Sequence, residues 1–473
     1  MNINKRLNNA ALSAIQARGI HTPSYDRSDL LCGVVHLGLG AFHRAHQAMV
    51  FDSLLAKGDQ RWAVLGVAMN STTVADALAA QDGLYAVHVA SKLSMQWHVP
   101  GAILATAVAS RERHTVVNAI AAAHTRWITL TVTEKGYTES LASLIVQGLA
   151  LRHAQGHSGL TIASCDNLSE NGRKLQALCL NAAKSKDEAL ATWINTQCKF
   201  PCSMVDRIVP AATPDRTRAA REALGVATEA ALGTEGFWEW VLEDNLADPS
   251  DAALLRSAGV NVVRDVRPFE EAKLRMLNGS HSAMAVIGAV AGLAMIADCI
   301  NEPAIRHMMQ GFMTHEVAPH ISRPDWQAYR EALVERWANP DLKHSVHQIA
   351  MDSSQKIPQR WPPCIIGQIN NGKPFERFAF SAAAFMRYCS GVNEQGVAYT
   401  IQDPMAAQLQ ALAQQHAGDV KATVQALGSI ESIWGAALPQ NTPWLARVAH
   451  WLGTIRAQGI LQAAALLPAE NSP

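Results

Sequence analysis

Apolar and polar positions follow two rhythms along this chain, and the change between them falls near residue 268. In the first half, short apolar β-branched runs at residues 32–37, 62–68, 85–90, 127–133 and 160–164 alternate with Ala-rich amphipathic stretches such as 114–124. Runs of that length read as buried strands, and the stretches between them are long enough for crossover helices. The order predicts an α/β fold with a mostly parallel, doubly wound sheet. Beyond about residue 270 a helical period takes over, at residues 282–300, 326–338, 381–388, 404–415, 420–428 and 443–458. Asn339-Pro340, Asn370-Asn371-Gly372 and Pro439-Gln440-Asn441 punctuate it. The expected division is an α/β domain over residues 1–268 and a mainly α-helical domain over 269–473, joined at Pro268 and Phe269. Ligand clefts tend to form at such joints.

Composition narrows the class. At 473 residues, 49% apolar and 17% charged, the chain is globular and too long for one core. Its 40 basic and 40 acidic residues cancel and form no basic run, which argues against nucleic acid or an anionic membrane surface as partner. The eight cysteines contain no Cys-x-x-Cys pair and several lie in apolar segments, so they read as reduced thiols of a cytoplasmic protein. Residues 1–7 lack the apolar stretch of a leader peptide. The longest apolar segment, 282–297, closes at Asp298, short of the roughly 20 residues a membrane span needs, and reads as a buried helix. No feature of the pattern sets an oligomeric state.

Two stretches carry chemistry. Val34-Val35-His36-Leu37-Gly38-Leu39-Gly40-Ala41-Phe42-His43 runs from a strand through two glycines into a helix, as in a dinucleotide fingerprint, where the turn lets backbone N–H groups reach a pyrophosphate. The third glycine is missing and His43 stands in its place. At the end of the second strand, Ala68-Met69-Asn70-Ser71-Thr72 offers neither an acid for a ribose hydroxyl nor a cation for a 2′-phosphate. Asn70 can bond a hydroxyl, so NAD is expected over NADP, which is not excluded. The second stretch is Lys273-Leu274-Arg275-Met276-Leu277-Asn278-Gly279-Ser280-His281. As an α-helix turning about 100° per residue it sets Asn278 about 140° and His281 about 80° round from Lys273. An ammonium, an amide and an imidazole aimed into one cleft can polarise a carbonyl and move a proton; a solvated helix face explains the same spacing.

Other polar groups fall at strand ends. Thr131-Val132-Thr133-Glu134-Lys135-Gly136-Tyr137 and Ser164-Cys165-Asp166-Asn167 follow the fourth and fifth strands, at the sheet edge where ligands bind in open parallel sheets. Asp206 and Arg207, between apolar residues, read first as a structural ion pair. Glu270 lies one turn before Lys273 and can relay a proton or pair with it. Lys356 and Arg360 are placed for an anionic or hydroxylated substrate, or for solvent. His43 with His46, and Cys198 with Cys202, lack further ligands at metal spacing, so no metal is expected.

Together these motifs resemble the mannitol dehydrogenase family, the polyol-specific long-chain dehydrogenases, over nearly the whole length. The likeness runs through Gly38 to His46, Thr133 to Tyr137, Cys165-Asp166-Asn167, Glu170-Asn171-Gly172, Val205-Asp206-Arg207, Glu243-Asp244-Asn245 and Lys273 to His281. It is strongest toward members that interconvert fructuronate and mannonate, in residues 200–214, 273–282 and 355–360. Where mannitol-type members carry an Arg and a His, this chain has Gln348 and Met351, which implies a different polar end on the substrate. The resemblance implies a Rossmann-like dinucleotide-binding domain followed by a substrate-binding domain, NAD as cofactor, and hydride exchange with a sugar acid or, alternatively, a mannitol- or arabinitol-type polyol. It implies Lys273 as general acid/base, Asn167 and Asn278 as donors to the developing oxyanion, and His281 as the group that orients substrate. It also implies Gly38, Leu39, Gly40, Ala41, Phe42, Asn70, Thr133 and Glu134 at the cofactor, with Lys135 near it. Asp206, Arg207, Lys356 and Arg360 are the candidates for substrate contact.

Overall fold

A computed structural model of the protein describes residues 5–90, 95–340 and 344–468; residues 1–4, part of the leader expectation, lie outside it. The chain divides into two compact units, Met1–Arg267 and Pro268–Pro473.

The first unit holds the strands β1 (Val34–Leu37), β2 (Val64–Ala68), β3 (Ala86–Ala90), β4 (Met95–His98), β5 (Ile103–Val108), β6 (Trp127–Leu130), β7 (Thr161–Ser164), β8 (Ser203–Asp206), β9 (Ala231–Glu235), β10 (Glu239–Glu243) and β11 (Asn261–Val263). Five of them form a parallel sheet in the order β5-β2-β1-β6-β7. β1, β2, β6 and β7 are buried at every position, because helices cover both faces of a parallel sheet and leave no side for polar residues. The winding reverses between β1 and β6, and the crevice at the carboxyl ends of those two strands is where such sheets take ligands.

Residues 85–90, expected in that sheet, lie elsewhere: β3 pairs with β4 and β9 in a separate three-stranded sheet. The place beside β2 belongs to β5, at the sheet edge, where Leu104, Ala105 and Thr106 are partly exposed. With one side open, β5 has no need of a continuous apolar run. A third sheet, β11-β10-β8, completes the unit.

The second unit is helical. Its central helix, Gly279–Ala291, is buried at every residue. A Cβ at Gly288 would run into Cys299 Sγ, so the missing side chain allows a close crossing. The expected continuous helix over 282–300 is two, since Gly292 takes the left-handed conformation at φ 77° and ends the first before Ile296–Asn301 begins. Among the described residues no helix is long and apolar enough to cross a membrane. All eight cysteines are unbridged.

Beside the central helix, the helix Glu376–Tyr388 is capped from outside its own sequence. The backbone N–H groups of Arg377 and Phe378 donate to the two oxygens of Glu316 at 2.8 and 2.8 Å, and the Arg377 guanidinium stands 3.6 Å away. Glu316 is fully buried, and burial pushes its carboxyl up to about 7 against the lowering by those N–H groups. Between about 4.5, its ordinary value, and about 7 the folded chain therefore binds the proton that the unfolded chain has lost. This contribution to stability is full below that window and falls as pH rises through it, by up to about 1.4 kcal/mol per pH unit. Glu316→Gln removes the titration, so the midpoint of the variant relative to wild type is expected to rise from pH 5 to pH 7 in thermal unfolding. A constant offset would show that Glu316 does not titrate there.

Candidate active site

At the first unit's sheet edge, β1 ends in a turn that only glycine can make. Gly38 sits at φ 105°, and a Cβ there would collide with the Thr131 carbonyl. The N–H groups of Gly38 and Leu39 both donate to Val67 O, at 2.8 and 3.0 Å, which ties the turn to the end of β2. Leu39 is buried and packs against Gly66, where a Cβ would touch its side chain. Gly40 differs from Gly38. It is exposed and caps the helix Ala41–Ala45, and a Cβ would approach nothing nearer than Gly38 O at 3.7 Å. Internal packing does not require glycine at 40, so its bare backbone fits the close approach of a pyrophosphate. Ala41 and Phe42 are half-buried beside it, and Asn70 is exposed just beyond β2.

His43, in the place of the third fingerprint glycine, stacks on His36 of β1 with ring centroids 3.3 Å apart and planes 10° from parallel. Both are fully buried, and desolvation pushes His36 down to about 3 and His43 well below the ordinary imidazole value. The neutral His36 ring reaches Thr129 Oγ1 at 2.8 Å, Thr131 Oγ1 at 2.9 Å and Gly38 O at 3.1 Å, and so braces the turn from below. His46 Nε2 lies 2.9 Å from Glu239 O. His43 and His46 take part in a ring stack and a backbone contact respectively.

The ends of β6 and β7 are tied by one carboxylate. Asp166 accepts from the N–H of Thr133 at 2.7 Å, the N–H of Val132 at 3.2 Å and the Tyr137 hydroxyl at 3.1 Å. Desolvation raises its pKa, opposed by these bonds. Thr133 is held at φ 66°, a conformation that costs a β-branched residue about 1–3 kcal/mol and persists only when its surroundings fix it. Thr133, Glu134, Lys135 and Asn167 are exposed at this edge.

Asp206 ends β8 and is buried. Arg207 is buried too, but its donors go to backbone: Nε and Nη2 to Glu235 O at 3.2 and 2.9 Å, and Nη1 to Ala45 O. Burial lowers its pKa to about 10. The residue clamps β9 to the helix that follows the glycine turn, an arrangement that occupies the side chain expected at substrate.

In the second unit, Lys273–Asn278 is π-helical and not the α-helix expected. The N–H of Gly279 donates to Leu274 O, five residues back. The wider turn brings Asn278 round toward the face of Lys273, where regular α geometry turns it about 140° away. Lys273 and Asn278 are partly exposed, and Glu270 lies in the preceding helix Arg267–Ala272. His281, one α-turn beyond Asn278, is buried with its ring 5.4 Å from Trp337 and 5.8 Å from His344. Arg360 and Trp361 reach the far end of the π-turn: Arg360 Nη1 donates to Asn278 O at 3.0 Å and Ser282 Oγ at 2.7 Å, and Trp361 Nε1 donates to Gly279 O at 3.0 Å. Lys356, one turn before Arg360 on the helix Ser353–Arg360, donates to Ile349 O at 3.3 Å. Desolvation and the neighbouring Arg360 lower the Lys356 pKa, and desolvation alone brings Arg360 to about 10.

Sequence reasoning missed the bracing His36, the tie through Asp166 and the bonds of Arg360 and Trp361 to the π-turn. A lone imidazole inside the apolar run of β1 was the one visible signal among them.

Residues 32–252 match the mannitol dehydrogenase Rossmann domain and residues 265–456 the mannitol dehydrogenase C-terminal domain. The D-mannonate oxidoreductase of Escherichia coli (strain K12) is 38% identical over 460 residues, covering 90% of this chain and 93% of that protein. The mannitol 2-dehydrogenase of Aspergillus terreus is 33% identical, covering 97% of this chain and 98% of its own. Among solved structures, Pseudomonas fluorescens mannitol 2-dehydrogenase in ternary complex with NAD and D-mannitol aligns with a TM-score of 0.77 at 30% identity, over 97% of this chain and 98% of that one. A D-sorbitol dehydrogenase in substrate-free form aligns with a TM-score of 0.85 at 26% identity, over 97% and 100%. With both domain matches in order and full-length relatives above 30% identity, the chain belongs to the mannitol dehydrogenase family, a family of oxidoreductases.

Proposed function

We propose that this chain is an NAD-dependent, metal-independent oxidoreductase that interconverts fructuronate and mannonate. The observation that carries the substrate is the positive charge beside Asn278. Lys356 and Arg360 stand one turn apart on one helix, both are desolvated, and among the described residues no carboxylate pairs with Arg360. Asp352 and Asp403 offset part of the Lys356 charge, and a sugar acid brings this desolvated positive pair a further counter-charge where a neutral polyol does not. The likeness to the Escherichia coli D-mannonate oxidoreductase and the presence of Gln348 and Met351 support the same choice. A second reading, a mannitol- or arabinitol-type polyol 2-dehydrogenase, is favoured by the likeness to the mannitol complex.

When bound, NAD supplies the hydride acceptor or, reduced, the hydride donor. Gly40, Ala41 and Phe42 would hold its pyrophosphate on a turn shaped by Gly38 and Leu39, Asn70 would bond a ribose hydroxyl, and Thr133 and Glu134 would line the same sheet edge. In reduction, Lys273 gives a proton to the substrate carbonyl oxygen; in oxidation it takes the proton back. Such general acid/base catalysis contributes roughly 10²–10⁴-fold. The Asn278 amide donates to the oxygen as it becomes anionic, a contribution of roughly 10²–10³-fold per donor. Family resemblance adds Asn167 as a second amide, His281 as the group that orients substrate, and Glu270 as the relay that returns the Lys273 proton to solvent. Lys356 meets the substrate carboxylate, and Asp206 bonds a hydroxyl.

With NADH or NADPH and a panel of fructuronate, tagaturonate, fructose and xylulose, turnover followed by cofactor absorbance is expected to be fastest with fructuronate and NADH. Rapid reduction of fructose without response to either uronate would favour the polyol reading. Lys273→Ala is expected to lower kcat at least about 10³-fold while NADH affinity, read by fluorescence, stays within about twofold. Equal loss of both would make Lys273 a structural residue. Lys356→Met is expected to raise KM for fructuronate about tenfold or more and leave kcat within about threefold, as loss of a ground-state contact does.

A further inference from the structure

Arg360 is a half-buried cation that makes two hydrogen bonds, both to the segment around the π-turn: the carbonyl of Asn278 and the hydroxyl of Ser282. Its neighbour Trp361, fully buried, gives its one N–H to the next carbonyl, Gly279. The two carbonyls lie at the junction where the π-helical segment Lys273–Asn278 passes into the α-helix Gly279–Ala291. The helix that carries Arg360 is itself anchored. The Ser354 backbone N–H and hydroxyl donate to the two oxygens of Asp403, at 2.8 and 2.6 Å.

We propose that Arg360, with Trp361, is a positioning residue that staples the π-turn and thereby sets the Asn278 amide relative to the Lys273 ammonium. This rests on the reading of Lys273 as general acid/base and Asn278 as oxyanion donor. Both bonds leave one nitrogen, Nη1, whose two N–H directions are fixed in the guanidinium plane, where the ammonium of lysine rotates freely. The work of Arg360 thus differs from that of Lys356, one turn away. Lys356 binds the ground state, while Arg360 fixes a geometry that matters as the oxyanion forms.

The test compares Arg360→Met, Arg360→Lys, Trp361→Phe, Lys356→Met and Lys273→Ala in the full-length protein, with NADH and fructuronate, or with whichever ketose the wild type turns over. A misplacement of about 1 Å costs on the order of 100-fold in rate. Arg360→Met is therefore expected to lower kcat about 100-fold with the sugar KM within about threefold and NADH affinity unchanged. Arg360→Lys is expected to recover part of that loss. Trp361→Phe keeps the ring and removes the N–H, and is expected to lower kcat about fivefold to tenfold, also without a change in KM. If Arg360→Met raises KM and keeps kcat, the residue is a substrate contact and the proposal is wrong. If Arg360→Met does not fold, Arg360→Lys and Trp361→Phe decide: wild-type kcat in both overturns the staple. Activity retained in Lys273→Ala would instead overturn the reading on which the proposal rests.

Discussion

A backbone that leaves regular geometry must find its hydrogen bonds elsewhere, and the irregular segments of both units are built on meeting that demand. At the sheet edge the departures are the glycine turn after β1 and the left-handed Thr133 after β6. They are held by Val67 O below the first and the Asp166 carboxylate behind the second. In the helical unit the departure is the π-turn, at whose far end the Asn278 and Gly279 carbonyls accept from Arg360 and Trp361. In each case an irregular segment that holds candidate site residues is pinned by groups from a distant part of the sequence. That is how a loop or a widened turn holds a geometry fixed enough for catalysis.

The same economy explains two desolvated arginines. Arg207 gives its donors to backbone carbonyls and Arg360 to a carbonyl and a hydroxyl, where a reading by residue type alone expects a ligand's anion. A guanidinium bonded to carbonyls keeps its full charge, because a carbonyl oxygen is a dipole and not a counter-ion. Arg207 has Glu235 among the charges near it, whereas among the described residues no carboxylate pairs with Arg360. Positive potential therefore persists around Arg360 after its hydrogen bonds are made. It can favour an anionic substrate without the guanidinium touching it.

How much of this was legible follows from what periodicity records. β1, β2, β6 and β7 were plain because full burial writes a continuous apolar run. β5 was not, since a partly open edge relaxes the requirement, and residues 85–90 were assigned to its place because they are equally apolar but pair with β9. The glycine turn was legible at Gly38, whose φ has no alternative residue. Lys273, Asn278 and His281 stood out as polar groups before an apolar helix, yet their spacing was read with the α period. A π-turn has no composition signature of its own, so the inserted residue stayed hidden. The cap on the helix Glu376–Tyr388 comes from Glu316, some sixty residues upstream, and local sequence holds no trace of such a partner.

The stack of His36 on His43 has a further meaning for how this sequence can vary. In the common fingerprint a glycine lets helix and strand touch; here two flat rings act as a spacer of fixed thickness between them. Neither ring can be exchanged alone: glycine at 43 leaves a slab-shaped void over His36, and a small residue at 36 removes both the floor under His43 and the brace on Gly38 O. The two positions, seven apart in the chain, form one packing unit. A lineage that crosses from one kind of turn to the other must change both, with a less stable intermediate between.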